Sequence, residues 1–300
     1  MSPSTHGRLI IIGGHEDRDP AGNRTILREI ARCVRPDQHH LALITVATTL
    51  PEDVAAEYQA AFHDLDVTLT HVAIRTRADA ADAATIRVLE QAAIIFFSGG
   101  DQLRLTSLVG GTPAFTTICA RYQAGATIAG TSAGAAAMAG TMIVGGTSDA
   151  SFRMNALDMA PGLGFLPDSV IDTHFAERGR IGRLMGAVAQ NPRTLGLGID
   201  EDTAIVVEGG QRFCVVGSGG VYVVNGQPIS YTSLTDHDRA AIVSIHDAQV
   251  DILGHGGSYD LSACQADHGR GVRRPALHSS GRRACLAGRA APALPVSLPP

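Results

Sequence analysis

Four short runs of almost unbroken apolar residues, each followed by a stretch of helical length and pattern, constrain this chain more than any other feature. Residues 9–12 lead into 21–34, 41–46 into 51–65, 67–74 into 78–91, and 94–97 into 101–109. A strand that is apolar on both sides has both faces covered, and an intervening helix supplies the long crossover that parallel pairing needs. The expected class is therefore α/β, a mostly parallel sheet with helices on both faces. Such sheets bind ligands beyond the carboxyl ends of their strands. The polar clusters fall there: Gly13-Gly14-His15-Glu16-Asp17 after the first run, Ser98-Gly99-Gly100-Asp101-Gln102 after the fourth, and Ser132 after a fifth apolar run at 126–130.

Beyond Ser132 the pattern changes. A run at 170–172 and a helix over 181–190 precede short β-type runs at 195–199, 204–207, 213–216, 221–224, 241–245 and 250–253, punctuated by glycines and turn dipeptides such as Asn225-Gly226. These read as β-hairpins in the C-terminal half that extend or flank the main sheet, within one domain spanning 1–261. Residues 262–300 hold six arginines, one acid (Asp267) and five prolines, and read as a disordered tail. The competing reading of that tail is a basic arm for an acidic partner.

Composition removes several classes of function. All 24 basic residues are arginine, so chemistry that needs a lysine amine, whether in a P-loop, a Schiff base or a pyridoxal-phosphate enzyme, is excluded. A formal net charge of −5 speaks against a nucleic-acid partner. The five cysteines (Cys33, Cys119, Cys214, Cys264 and Cys285) are scattered, which fits neither a disulfide framework nor a thiolate metal site. No run reaches the length of a membrane span, and the apolar start stops at Gly13-Gly14 without a cleavage pattern, so a cytoplasmic protein with no membrane partner is expected.

Three segments carry chemistry. Gly130-Thr131-Ser132-Ala133-Gly134 is a G-x-S-x-G turn from an apolar strand into a small-residue helix, which exposes the serine hydroxyl and aims N–H groups such as that of Ala133 at a developing oxyanion. The helix dipole adds to that attraction. His174, in Ile171-Asp172-Thr173-His174-Phe175, leaves another strand end and is a candidate base. In Gly198-Ile199-Asp200-Glu201-Asp202 strand alternation turns Asp200 and Asp202 one way and Glu201 the other, and residue chemistry alone does not choose among the three as the orienting acid. Arg178, Arg180 and Arg183 crowd a helix start against its dipole. They are read either as receptors for a substrate carboxylate or as partners of Glu177, Asp172 or the acidic turn.

Together these segments, with Phe97-Ser98-Gly99-Gly100-Asp101-Gln102-Leu103, resemble the cyanophycinase family of serine exopeptidases, relatives of the aspartyl dipeptidases. In order and spacing the resemblance covers roughly residues 8–261. It implies a flavodoxin-related fold like that of class I glutamine amidotransferases. It also implies a triad of Ser132, His174 and Glu201, and an oxyanion hole formed by the N–H groups of Ala133 and Gly100. The implied substrate is cyanophycin, a poly-aspartate with arginine on each side-chain carboxyl, cut at backbone Asp–Asp bonds to β-Asp-Arg dipeptides. Asp101, Gln102, Asp172, Thr173, Arg178, Arg180 and Arg183 would then hold the substrate residue, with no metal, no cofactor and a homodimer as the assembly.

Three other readings stay open. One is an aspartyl or isoaspartyl dipeptidase of the same fold. Another is an α/β-hydrolase esterase with Asp200 and His246 or His255 in that chain order. The third is a non-catalytic arginine-rich binding module for an anionic polymer. A metallohydrolase is disfavoured, since His15-Glu16-Asp17 and His39-His40 lack H-E-x-x-H spacing.

Overall fold

The structure is a computed structural model that describes residues 6–34, 40–146, 157–235 and 242–267. Its first half alternates as the apolar runs require. In order it contains β1 (Leu9–Ile12), α1 (Thr25–Ala31), β2 (His40–Ile44), α2 (Pro51–Phe62), β3 (Thr68–Val72), α3 (Ala83–Gln91), β4 (Ile94–Phe97), α4 (Gln102–Val109), α5 (Pro113–Gln123) and β5 (Thr127–Thr131). The strands β3, β2, β4, β5 and β1 lie side by side in that order, and every neighbouring pair is parallel. Alternate residues enter opposite cores: Leu9 and Ile11 join one buried cluster, Ile10 and Ile12 the other. This two-sided burial explains why β1 reads as an uninterrupted apolar run.

After β5 come a single helical turn, α6 (Ala133–Ala136), then β6 (Ala139–Gly145), β7 (Asp158–Pro161), β8 (Leu166–Thr173), α7 (Ile181–Gln190) and β9 (Leu195–Ile199). Strands follow, with a single 3-10 turn at Ser233–Thr235 among them: β10 (Thr203–Glu208), β11 (Arg212–Gly217), β12 (Val221–Asn225), β13 (Tyr231–Thr232), β14 (Ile245–His246), β15 (Gln249–Leu253), β16 (Ser258–Asp260) and β17 (Gln265–Ala266). The expected extension of the main sheet is met by β10, β11, β16 and β17, which continue it antiparallel beyond β1. The remaining runs do something else. β15, β12, β9, β8, β6 and β7 build a separate six-stranded sheet, with β6, β8 and β9 parallel.

Two other differences bear on the sequence reading. Helix α5 went unread, although Thr112 caps it by accepting from the Phe115 N–H and Pro113 opens it. The boundary drawn at Leu261 falls inside the β16/β17 hairpin, where Tyr259 pairs with Ala266, so the main sheet runs past it. The remainder of the expected tail, from 268 onward, lies outside the described residues, as does Ala241 at the start of the 241–245 run. Among the described residues no helix is long and apolar enough to cross a membrane.

Candidate active site

The carboxyl ends of β5, β8 and β9 meet at Ser132. Its backbone sits at φ 52°, ψ −114°, a conformation that L-residues adopt only under constraint. The neighbours impose it. A Cβ on Gly130 would lie 2.6 Å from the Gly134 carbonyl oxygen, and one on Gly134 would lie 2.3 Å from that of Phe97, so both flanking positions exclude side chains. The Ser132 N–H donates to the Ile12 carbonyl at 3.0 Å, tying the elbow to β1. The following helix is one turn long, shorter than the sequence implies, because the chain re-enters a strand at Ala139. Oxyanion attraction there rests on individual N–H groups, and the macrodipole expected from a longer helix is lacking.

Ser132 Oγ lies 2.8 Å from His174 Nε2, and His174 Nδ1 lies 2.7 Å from Glu201 Oε1. The hydrogen-bond network assigns the histidine proton to Nδ1. His174 is itself held at φ 47°, with its N–H donating to the Gly13 carbonyl at 2.8 Å. Its imidazole packs flat against Gly14, where a Cβ would stand 2.3 Å from Cε1. Burial pulls the His174 pKa below the usual imidazole value, outweighing the opposite pull of the Glu201 hydrogen bond. The same bond holds the Glu201 carboxyl below the usual carboxylate range.

The three successive acids separate for a reason other than strand alternation. β9 ends at Ile199 and β10 starts at Thr203, so all three lie in the connecting turn, with Asp202 at φ 45°. Asp200 turns inward and accepts from the N–H groups of Ala176 and Gly220 at 2.9 Å each. Asp202 accepts from the Asp17 N–H and the Ser218 hydroxyl. Glu201 faces the histidine. The esterase pairing is absent from this geometry: His246 packs at a tilt against the Tyr231 ring, and His255 accepts from the Gly217 N–H.

The residues read as substrate contacts divide into two groups. Arg178 lines the pocket above Ser132, as does Gly99 of the turn expected to supply an oxyanion donor. Gly100, at φ 138°, approaches so near to the segment that follows β2 that a Cβ would lie 2.1 Å from the Ala47 carbonyl oxygen. Asp172, 2% exposed, instead receives a two-pronged grip from Arg183, whose Nε lies 2.5 Å from Oδ2 while Nη2 meets Oδ1. Arg180 adds bonds to Asp172 Oδ1 at 3.3 Å and to the Thr173 carbonyl at 2.6 Å, and the Thr173 N–H donates to Asp172. These four residues brace the strand end that carries His174. Asp101 caps α4 by accepting from Leu103 and Arg104, and Gln102 donates to the Ile143 carbonyl at 2.7 Å.

The pocket, about 440 Å³, is completed by residues to which the sequence reading gave no role: His15, Glu16, Arg18 and Thr131. Glu16 is buried and accepts from Thr131 Oγ1 at 2.7 Å, from Arg18 Nε at 3.2 Å and from the Tyr58 hydroxyl. Arg18 in turn stacks over the Tyr58 ring at 4.4 Å. A carboxylate placed directly after an apolar strand was the available signal for Glu16; its partners lie 42 and 115 positions away in the chain.

Residues 9–215 match peptidase family S51. The chain is 36% identical over 270 residues to a cyanophycinase of Geminocystis herdmanii (strain PCC 6308), covering 88% of this chain and 97% of that protein. It is 34% identical over 260 residues to a cyanophycinase of Trichormus variabilis (strain ATCC 29413 / PCC 7937), covering 86% and 87% respectively. In fold it is similar to the crystal structure of a peptidase from an acI-B1 Actinobacterium, with a TM-score of 0.65 at 20% identity, covering 86% of this chain and 98% of that one.

Proposed function

Because this chain belongs to peptidase family S51, we propose that it is a cyanophycinase, a serine exopeptidase that cuts backbone Asp–Asp bonds of cyanophycin through an acyl-enzyme on Ser132. The observation that carries the reading is the unbroken relay from Ser132 through His174 to Glu201, at 2.8 and 2.7 Å. Ser132 Oγ attacks the carbonyl carbon while His174 Nε2 takes its proton. Glu201, already ionised, stabilises the imidazolium and keeps Nε2 aimed at the serine. The N–H groups of Ala133 and Gly100 receive the oxyanion. His174 then returns the proton to the leaving amine, and a water repeats the sequence to free the acyl product.

Substrate contact is assigned foremost to Arg178, whose guanidinium in the pocket wall suits the carboxylates of an aspartate polymer. Asp101, Gln102, Asp172, Thr173, Arg180 and Arg183 belong to the same recognition in a supporting way, by holding the pocket's framework. The reading includes a homodimer, to be tested by sedimentation. It also includes a cytoplasmic location, to be tested by fractionation. The decisive assay incubates the protein with insoluble cyanophycin and with a panel of aspartyl and isoaspartyl dipeptides, and identifies products by mass. Release of β-Asp-Arg is expected; turnover of the dipeptides alone would replace the polymer with short peptides as the substrate.

A further inference from the structure

His15 is the one pocket residue whose proximity to the relay the peptidase reading leaves unused. It stands at φ 48°, edge-on to His174 with ring centroids 5.2 Å apart, and its side chain is 68% exposed. Its Nε2 lies 3.8 Å from Glu201 Oε1, the same oxygen that meets His174 Nδ1 at 2.7 Å. One donor atom from each of His15, His174 and Glu201 thus falls within 4.8 Å of the others.

We propose that His15, His174 and Glu201 form an inhibitory zinc site laid over the catalytic relay. Two imidazoles and one carboxylate with a fourth position open to water is a donor set that zinc favours. Bonds of ~2.0–2.1 Å at tetrahedral angles put neighbouring donor atoms about 3.3 Å apart. The observed 3.8 and 2.7 Å bracket that value and the two imidazole nitrogens lie within 4.8 Å of each other, so the site closes by shifts of the His15 and Glu201 side chains, 68% and 31% exposed. His15 at the mouth gives the ion an entry path.

Binding changes the chemistry of Ser132 without touching it. Zinc bonded to His174 Nδ1 displaces that nitrogen's proton, and the neutral ring carries it on Nε2 instead. No net proton is gained or lost. Nε2–H then points at Ser132 Oγ as a donor and has no lone pair with which to accept the serine proton, so the nucleophile is silenced. This inhibitory consequence rests on the proposed role of His174 as base; the binding itself does not.

The probe is zinc chloride on the full-length chain, with the ion's binding followed separately by cobalt(II) absorption and zinc calorimetry on Ser132→Ala. The expected results are reversible inhibition of peptide hydrolysis, relieved by EDTA, and an intense visible cobalt spectrum of four-coordinate type at one ion per chain. In His15→Ala the zinc concentration that halves that variant's own zinc-free activity should rise at least about tenfold, the lower end of what losing even an outer-shell partner costs a metal site. Equal zinc sensitivity in His15→Ala, or a weak six-coordinate cobalt spectrum on Ser132→Ala, would overturn the proposal. A protein that gives the four-coordinate spectrum yet hydrolyses none of the peptides would leave the metal site standing and refute the peptidase reading alone.

Discussion

Substituting Gly14 by alanine tests the placement of His174 from the outside of the relay. The added Cβ would stand 2.3 Å from Cε1, 2.6 Å from Nε2 and 3.0 Å from Nδ1 of His174. Ordinary contact begins near 3.4 Å, so the ring retreats by about 1 Å or the loop carrying Gly14 moves by as much. A misplacement of ~1 Å in a catalytic group can lower turnover about 100-fold, equivalent to about 2.7 kcal/mol of barrier. The backbone adds a separate effect, because Gly14 sits at φ 107° and a non-glycine residue there costs on the order of 1–3 kcal/mol of stability. Gly111→Ala separates the two terms: Gly111 has φ 66° with nothing within 4 Å of the added carbon. That control should lose about 1–2 kcal/mol in urea unfolding and keep its kcat. Gly14→Ala should lose both stability and about two decades of kcat in dipeptide release from cyanophycin. Wild-type kcat in Gly14→Ala would refute the packing of glycine against the base as the reason for this loop.

Two further outcomes follow from the buried charges. The depressed His174 pKa comes first from burial, with Glu201 pulling upward, and the base works only when neutral. The acid limb of kcat/KM therefore lies below the ordinary histidine value, and Glu201→Gln should move it lower still while reducing kcat by up to about 10⁴-fold; an upward move would contradict the assigned balance. Asp172→Ala removes the shared partner of Arg180 and Arg183, whose side chains are 14% and 12% exposed. It should cost roughly 3–5 kcal/mol in urea unfolding, whereas a change in KM at undiminished stability would mark Asp172 as a substrate contact only.

Legibility in the sequence tracked how local each cause is. β1, β2, β4 and β5 are readable because burial on both faces leaves little polar interruption, and the elbow is readable because its two glycines, four positions apart, each stand where a side chain would strike a backbone carbonyl. The second sheet is hidden for a physical reason. β8 starts at Leu166 but carries Pro167 and Asp168, where its register against β6 shifts, so only its last residues look like a strand. Glu201 stands apart from its acidic neighbours through a turn whose shape depends on distant N–H groups, and alternation, the local rule, gave the right separation for the wrong cause. The arginine cluster shows the sharper limit. Its charge pattern says that anions must be near; only the fold shows that Asp172, eleven residues before Arg183, already supplies one. Glu16 followed the same logic, since its hydroxyl partners come from α2 and β5.

Covalent trapping reports directly on Ser132 as the nucleophile. The protein is treated with a fluorophosphonate, its intact mass recorded and the adduct mapped by peptide sequencing, alongside Ser132→Ala and His174→Ala. One adduct per chain on Ser132 is expected, with none in Ser132→Ala, labelling slowed by orders of magnitude in His174→Ala, and cyanophycin hydrolysis lost in parallel. An adduct on any other residue, or a Ser132→Ala protein that still releases dipeptide at the wild-type rate, would contradict it.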